Sequence, residues 1–142
     1  MKMSRVLALI LACVMMACMC IGCTSANDIT VTLTFVLEDG TKYWSNEVKI
    51  NNETPTVELA VNEAGATYPG LGCSWSTRYE LSLDGYPDTQ LDDGTMMFWT
   101  FTVNGEEPTS KANDAVIKDA DEIVYTYTAL KPEDITGGDV TE

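Results

Sequence analysis

Ile29, Val31, Leu33, Phe35 and Leu37 alternate with Thr30, Thr32 and Thr34. This period of two, rich in β-branched and aromatic residues, constrains the chain more than any other feature. The segment must lie extended, with one face in a core and the other toward water. Glu38-Asp39-Gly40-Thr41 follows, and Asp-Gly is a strong tight-turn pair. Trp44, Val48 and Ile50 continue on a return strand, so the first unit is a β-hairpin. A lone hairpin is marginal in water, and its apolar face needs a second layer.

Residues 54–65, Thr-Pro-Thr-Val-Glu-Leu-Ala-Val-Asn-Glu-Ala-Gly, predict that layer as a short helix. Thr54 reads as the cap, Pro55 as the first helical position, and Glu58 sits near the positive end. Val57, Ala60, Val61 and Ala64 share one face at helical spacing, and Gly65 reads as the stop. Trp75, Thr77, Tyr79, Leu81 and Leu83 alternate with Ser74, Ser76, Arg78, Glu80 and Ser82, which predicts a third strand. A Gly-, Pro- and Asp-rich loop spans residues 84–94. Met97, Trp99, Phe101 and Val103 predict a fourth strand that ends at an Asn104-Gly105 turn. Met96 and Phe98 make its other face partly apolar, which points to a central position. Ile123, Val124, Tyr125 and Tyr127 predict the last strand. Residues 131–142 carry no apolar periodicity and read as an acidic, disordered tail. Hairpin, helix, then further strands is the order of a β-grasp. The expected class is α+β over residues 28–130, one helix packed on a mixed four- or five-stranded sheet.

The N-terminus carries a different signal. Lys2 and Arg5 precede residues 6–21, an uncharged and mostly apolar run. This is the layout of a secretory signal. A spanning helix needs about 20 residues, so the run is slightly short, and an uncleaved signal anchor is the alternative. Cys13, Cys18, Cys20 and Cys23 lie in or beside it. Cys20-Ile21-Gly22-Cys23 has C-x-x-C spacing, a redox or metal motif elsewhere, but here it closes an export signal. With small Gly22 before Cys23 and polar Thr24-Ser25 after it, the segment resembles a bacterial lipobox. That resemblance implies a lipoprotein signal peptide over residues 1–22 and a diacylglycerol thioether on Cys23. Residues 23–27 become a short tether to the extracellular face of the cell membrane. Two or more acyl chains anchor stably, at about 0.8 kcal/mol per buried CH₂. Cys73 alone then remains in the domain, as a small buried apolar side chain or as a reactive thiol.

Charge and composition narrow the function. The 142 residues hold 22 acids, 8 bases and no histidine, for a net charge of −14. Removing Lys2 and Arg5 with the signal leaves six bases against 22 acids. Nucleic acid is excluded as a partner, since phosphate affinity needs clustered Lys and Arg. Without histidine there is no imidazole base for a nucleophile and no imidazole metal ligand. Only a carboxylate pair remains for hydrolysis, so no catalytic residue is assigned and no enzyme is expected. Asp84, Asp88, Asp92 and Asp93 cluster in one loop. Such a loop can hold calcium, but the spacing is not that of an EF-hand, and a solvated acidic loop is the other reading. No metal ligand is assigned.

Residues 99–128, WTFTVNGEEPTSKANDAVIKDADEIVYTYT, resemble the transcobalamin C-terminal-domain-like family. The resemblance rests on Trp99, Val103-Asn104-Gly105, Ala112, Val116, the acidic turn at residues 118–122, and Ile123-Val124-Tyr125. Upstream, residues 79–85 fit the strand before this region, and the helix from Val57 is in place. The likeness covers residues 29–128. Ala120 stands where the family usually has glycine, at a turn position where a Cβ disfavours positive φ. In the animal cobalamin carriers, a similar domain forms one wall of the cleft holding the corrinoid. The resemblance therefore implies a non-catalytic module for a corrinoid (cobalamin-like) or other small ligand. Trp99 would stack on the ligand, and Asn104 and Gly105 would offer backbone donors. The residues themselves leave two plainer roles open, a core tryptophan and a tight hairpin. The alternative function is adhesion or assembly, recognising a protein or cell-wall partner through exposed strand edges.

Overall fold

The computed structural model describes residues 28–76 and 80–135. The signal peptide at 1–22, Cys23 and the tether at 23–27 lie outside the described residues. So do Thr77, Arg78, Tyr79 and residues 136–142.

Strand β1 (Asp28–Val36) buries Val31, Leu33 and Phe35 on one face, as its alternation requires. It pairs antiparallel with β2 (Lys42–Asn51), in register Val31↔Val48 and Phe35↔Trp44, with an irregularity after Phe35. The turn between them is closed by the Asp39 carboxylate, which accepts the Thr41 N–H at 2.8 Å. That bond holds the Asp39 pKa below its ordinary value. Gly40 takes the left-handed φ of 84° that the Asp-Gly pair announces.

Helix α1 (Val57–Thr67) buries Val57, Ala60, Val61 and Ala64. Its ends differ from expectation. Thr56 is the cap, with Oγ1 accepting the Leu59 N–H at 3.4 Å, and Pro55 lies outside the helix. Pro55 is instead occupied by the Ile117 N–H, which donates to its carbonyl at 3.0 Å. The first free helical donors, Val57 and Glu58 N–H, reach the carbonyls of Ala115 and Ala112. Segment 112–117 thus satisfies groups that a helix N-terminus always leaves open. Gly65 does not stop the helix. It lies inside, where an added Cβ would stand 3.3 Å from the Cys73 Cβ, so its role is close packing.

The expected third strand over 74–83 is instead a hairpin. Strands β3 (Ser74–Trp75) and β4 (Leu81–Ser82) pair Ser74↔Ser82 and Trp75↔Leu81, apart from the main sheet. The Ser76 N–H donates to the Glu80 carbonyl at 2.9 Å, and the Glu80 N–H donates to Ser76 Oγ at 3.2 Å. Each short arm keeps the period of two, so alternation alone does not separate one long strand from a folded one. Gly72, at φ 57°, turns the chain into this hairpin, and the Asp84 side chain occupies the space a Cβ there would need.

Strands β5 (Thr89–Gln90), β6 (Met96–Val103) and β7 (Glu122–Leu130) complete one five-stranded sheet in the order β2-β1-β7-β6-β5. β1 and β7 run parallel, and the other pairs are antiparallel. The result is a mixed α+β fold with one long helix. The central strand is β7, not β6, because the last strand enters beside β1. The tail begins with one helical turn, α2 (Pro132–Ile135), rather than irregular chain from Lys131. Val31, Leu33, Phe35, Val57, Val61 and Ile123 form the core beneath α1, and Tyr125 and Trp99 extend it under β6. Among the described residues, no helix is long and apolar enough to cross a membrane.

Candidate functional site

Helix α1 packs over β2 and β1, and the β3–β4 hairpin approaches β6 on the same core face. Between these covers a cleft of about 320 Å³ remains. Tyr125 and Phe101 form its floor with an edge of Trp99, while Trp75, Leu81 and Ala112 close its sides. Glu80 and Lys111, both exposed, stand at the rim. Alternation explains the floor. Phe101 lies opposite Tyr125 and Trp99 opposite Tyr127, so all four point to one face. Phe101 stacks on Tyr125 with ring centres 5.2 Å apart. Trp75 is oriented by its indole N–H, which donates to Asn62 Oδ1 of α1 at 2.8 Å.

The two tyrosines of β7 differ in one respect. The Tyr127 hydroxyl donates to the Pro87 carbonyl at 2.7 Å. Tyr125 is only 2 % exposed, yet its hydroxyl has no hydrogen-bond partner among the described residues. Burial, with Glu58 and Cys73 nearby, pushes its pKa far above that of an ordinary phenol. A buried polar group without a partner costs on the order of 1–3 kcal/mol and is rare in folded chains. No residue pattern singled out Tyr125 as a site. The available signal was a phenol at an inward-facing strand position, where the hydroxyl must find something to bond.

Trp99 is 7 % exposed, with its indole N–H donating to the Tyr86 carbonyl at 3.0 Å. Its ring packs 5.0 Å from Tyr127 and edge-on to Phe35 at 5.6 Å. It lines the cleft but is chiefly core. Asn104 and Gly105 lie five and six residues further along, about 17 Å away at strand spacing, and do not line the cleft. The Asn104 side chain is already engaged. Its Nδ2 donates to Asp121 at 2.9 Å, and its Oδ1 accepts the Glu122 N–H at 2.9 Å. Gly105, at φ 79°, completes the turn that pairs Val103 with Glu106.

Cys73 is half-buried and free, and burial, helped by Asp84, raises its pKa to about 11. A thiol held protonated is a poor nucleophile, which favours the packing role over the reactive one. In the acidic loop, Asp93 accepts the Thr95 N–H at 2.9 Å and Asp84 packs against Gly72. Among the described residues, no group of three carboxylates or thiols is placed to hold a metal ion.

No curated protein matches this sequence. Residues 59–129, half of the chain, match the family described as a domain of unknown function, DUF4430. The chain belongs to the DUF4430 family. Among solved structures, this DUF4430 protein is similar to haptocorrin in complex with Cbi, at TM-score 0.57 and 14 % identity. The match covers 71 % of this chain but 25 % of haptocorrin, so the DUF4430 protein spans about a quarter of that neighbour. At this identity the likeness shows a shared fold. A Ruminococcus gnavus protein described provisionally as metal-binding is matched at TM-score 0.44 and 18 % identity, over 70 % of this chain and 96 % of its own. That score is too low to establish a common fold.

Proposed function

We propose that this protein is a non-catalytic binding module of β-grasp type, held at the extracellular face of the cell membrane by a lipid on Cys23. Its cleft over Tyr125 receives one edge of a corrinoid or a comparable flat small molecule. The observation that carries this reading is the aromatic-lined cleft floored by the ring of Tyr125, a phenol whose buried hydroxyl has no partner among the described residues. Aromatic walls with one fixed polar group are the usual make-up of a small-molecule site.

The cleft's 320 Å³ is at the low end of the roughly 300–1,000 Å³ typical of ligand pockets. It admits part of a ligand and leaves the rest to water or to a second wall. Haptocorrin is about four times the length of the matched region, so a longer chain can supply more of a site than this module does. Trp75 and Phe101 supply the apolar contact, Tyr125 the hydrogen bond, and Lys111 and Glu80 the rim charges. Trp99 backs the floor. The Asn104-Gly105 turn serves the site indirectly, by tying the end of β6 to the start of β7.

Calorimetry of the full-length chain in detergent, with cobalamin and cobinamide, tests the ligand. Saturable heat at sub-millimolar concentration is expected, and its absence for both removes the corrinoid. The anchor is tested separately. Cys23→Ala should move the protein from the membrane fraction to the supernatant, and retention on the membrane would refute lipidation at that residue.

A further inference from the structure

The fifth strand of the sheet is nearly missing. β6 has eight residues, but β5 pairs only with Met96 and Met97. Which backbone groups this leaves open follows from the ladder. The Asn104 N–H donates to the Glu122 carbonyl at 2.8 Å, so Asn104 faces β7. In an antiparallel pair, successive residues alternate between facing the neighbour and facing away. Val103, Phe101, Trp99 and Met97 therefore turn their N–H and C=O groups outward. Two contacts agree. Val103 exchanges both bonds with Glu106, and Met97 pairs with Thr89 of β5. Between them, no strand among the described residues pairs with Trp99 or Phe101.

The surroundings leave room for one. The cleft over Tyr125 and a second of about 330 Å³ both border Trp99 and Phe101. The second also takes in Thr100 and Thr102, whose side chains point to the opposite face, and is bounded by Glu107 and Pro108. The sequence Phe98-Trp99-Thr100-Phe101-Thr102-Val103 is strongly β-forming and uncharged, with no proline. Natural edges are usually blunted by charge, proline or bulges. The opposite edge, β2, is blunted in this way, with Lys42, Glu47 and Lys49 exposed along it.

We propose that the outer edge of β6 at Trp99–Phe101 is a docking groove for an extended peptide segment of another protein. The segment adds to the sheet in line with β5. Its alternate side chains are apolar toward Tyr125 and small or polar toward Thr100, and its ends are basic. The charge follows from what flanks the groove. Glu80 and Asp88 border β6 near Met96 and Phe98, and Glu106 and Glu107 follow its other end, four acids against the one base at the rim, Lys111. The same acids, on a chain of net charge −14, oppose pairing with a second copy. Main-chain bonds supply the affinity and the two clefts supply the selectivity. The peptide's apolar side chains enter the same cleft as the proposed corrinoid edge, so the two compete, and the readout here is backbone exchange rather than ligand heat.

The test is hydrogen exchange of the full-length chain with the peptide Lys-Lys-Val-Thr-Val-Lys-Lys, capped at both ends. At saturating peptide, the Trp99 and Phe101 amides should exchange at least tenfold more slowly, while Lys42–Asn51 amides are unchanged. A peptide N-methylated at alternate residues, with identical side chains, should give no protection. Glu106→Lys with Glu107→Lys should weaken the peptide at least fivefold. The proposal is overturned if millimolar peptide gives no protection or if the N-methylated peptide protects equally. Protection without peptide in a chain that sediments as a dimer also overturns it, because the occupant is then a second copy.

Discussion

At the scale of single residues, two places carry a local cost that a substitution can test. Ala120 sits at φ 66°, where its N–H donates to the Thr30 carbonyl at 2.8 Å and closes the turn before β7. A non-glycine residue pays roughly 1 kcal/mol or more for left-handed backbone. Ala120→Gly should therefore raise the urea midpoint by the equivalent of about 0.5–1 kcal/mol with the m-value unchanged, part of the relief being offset by glycine's larger unfolded-state entropy. The second place is the protonated pair beneath α1. Cys73 is raised from an ordinary 9.0 to about 11, and Tyr125 is raised above its ordinary 10.0. Both hold their protons more tightly folded than unfolded. Their stabilisation is complete below pH 9, erodes from pH 9 upward through Cys73, and erodes further above pH 10 through Tyr125. Urea midpoints measured from pH 8 to 11 should fall on this course. Cys73→Ala with Tyr125→Phe should make the fall shallower, Tyr127, also raised by burial, keeping a part of it, and an equally steep fall in that double variant would contradict the assignment.

At the scale of elements, the hairpin β3–β4 decides whether there is a cleft at all. Gly72 at φ 57° lets the chain enter it beside Asp84. Gly72→Ala adds left-handed strain and a collision with the Asp84 side chain. It should cost about 2 kcal/mol and loosen the Trp75 wall, read as a lower melting temperature and as faster exchange of the Ser74–Trp75 amides. This element was also the least legible in the sequence. The runs in β1 and β7 each bury one nearly continuous face, and β6 alternates with Trp99 at its buried centre, so alternation suffices to read them as strands. Residues 74–83 alternate as well, with Ser74, Ser76, Glu80 and Ser82 all polar, and the fold-back leaves no trace in the period. Thr54, Thr56 and Pro55 present two overlapping start signals for α1, and the contact of Pro55 with Ile117, 62 residues on, selects the later one. Gly65 looks like a stop from its neighbours and is a packing position because of Cys73, which no local pattern reveals. Trp99 was legible as a lining residue. Tyr125 was not, because an unpaired hydroxyl is a property of its surroundings.

At the scale of the whole molecule, a helix over one half of a mixed sheet leaves the other half to a short hairpin and to segment 112–117. The uncovered remainder is the cleft. The chain shares its fold with about a quarter of haptocorrin. The cost of that arrangement is the Tyr125 hydroxyl, buried and without a hydrogen-bond partner among the described residues. The direct measurement is a tryptophan-fluorescence titration with cobinamide, paired with thermal melting, on the full-length chain and on Tyr125→Phe. The variant should melt higher, by the equivalent of about 1 kcal/mol, and bind at least fivefold more weakly. A variant that melts higher and binds equally well would show that the hydroxyl plays no part in recognition, and would contradict the account.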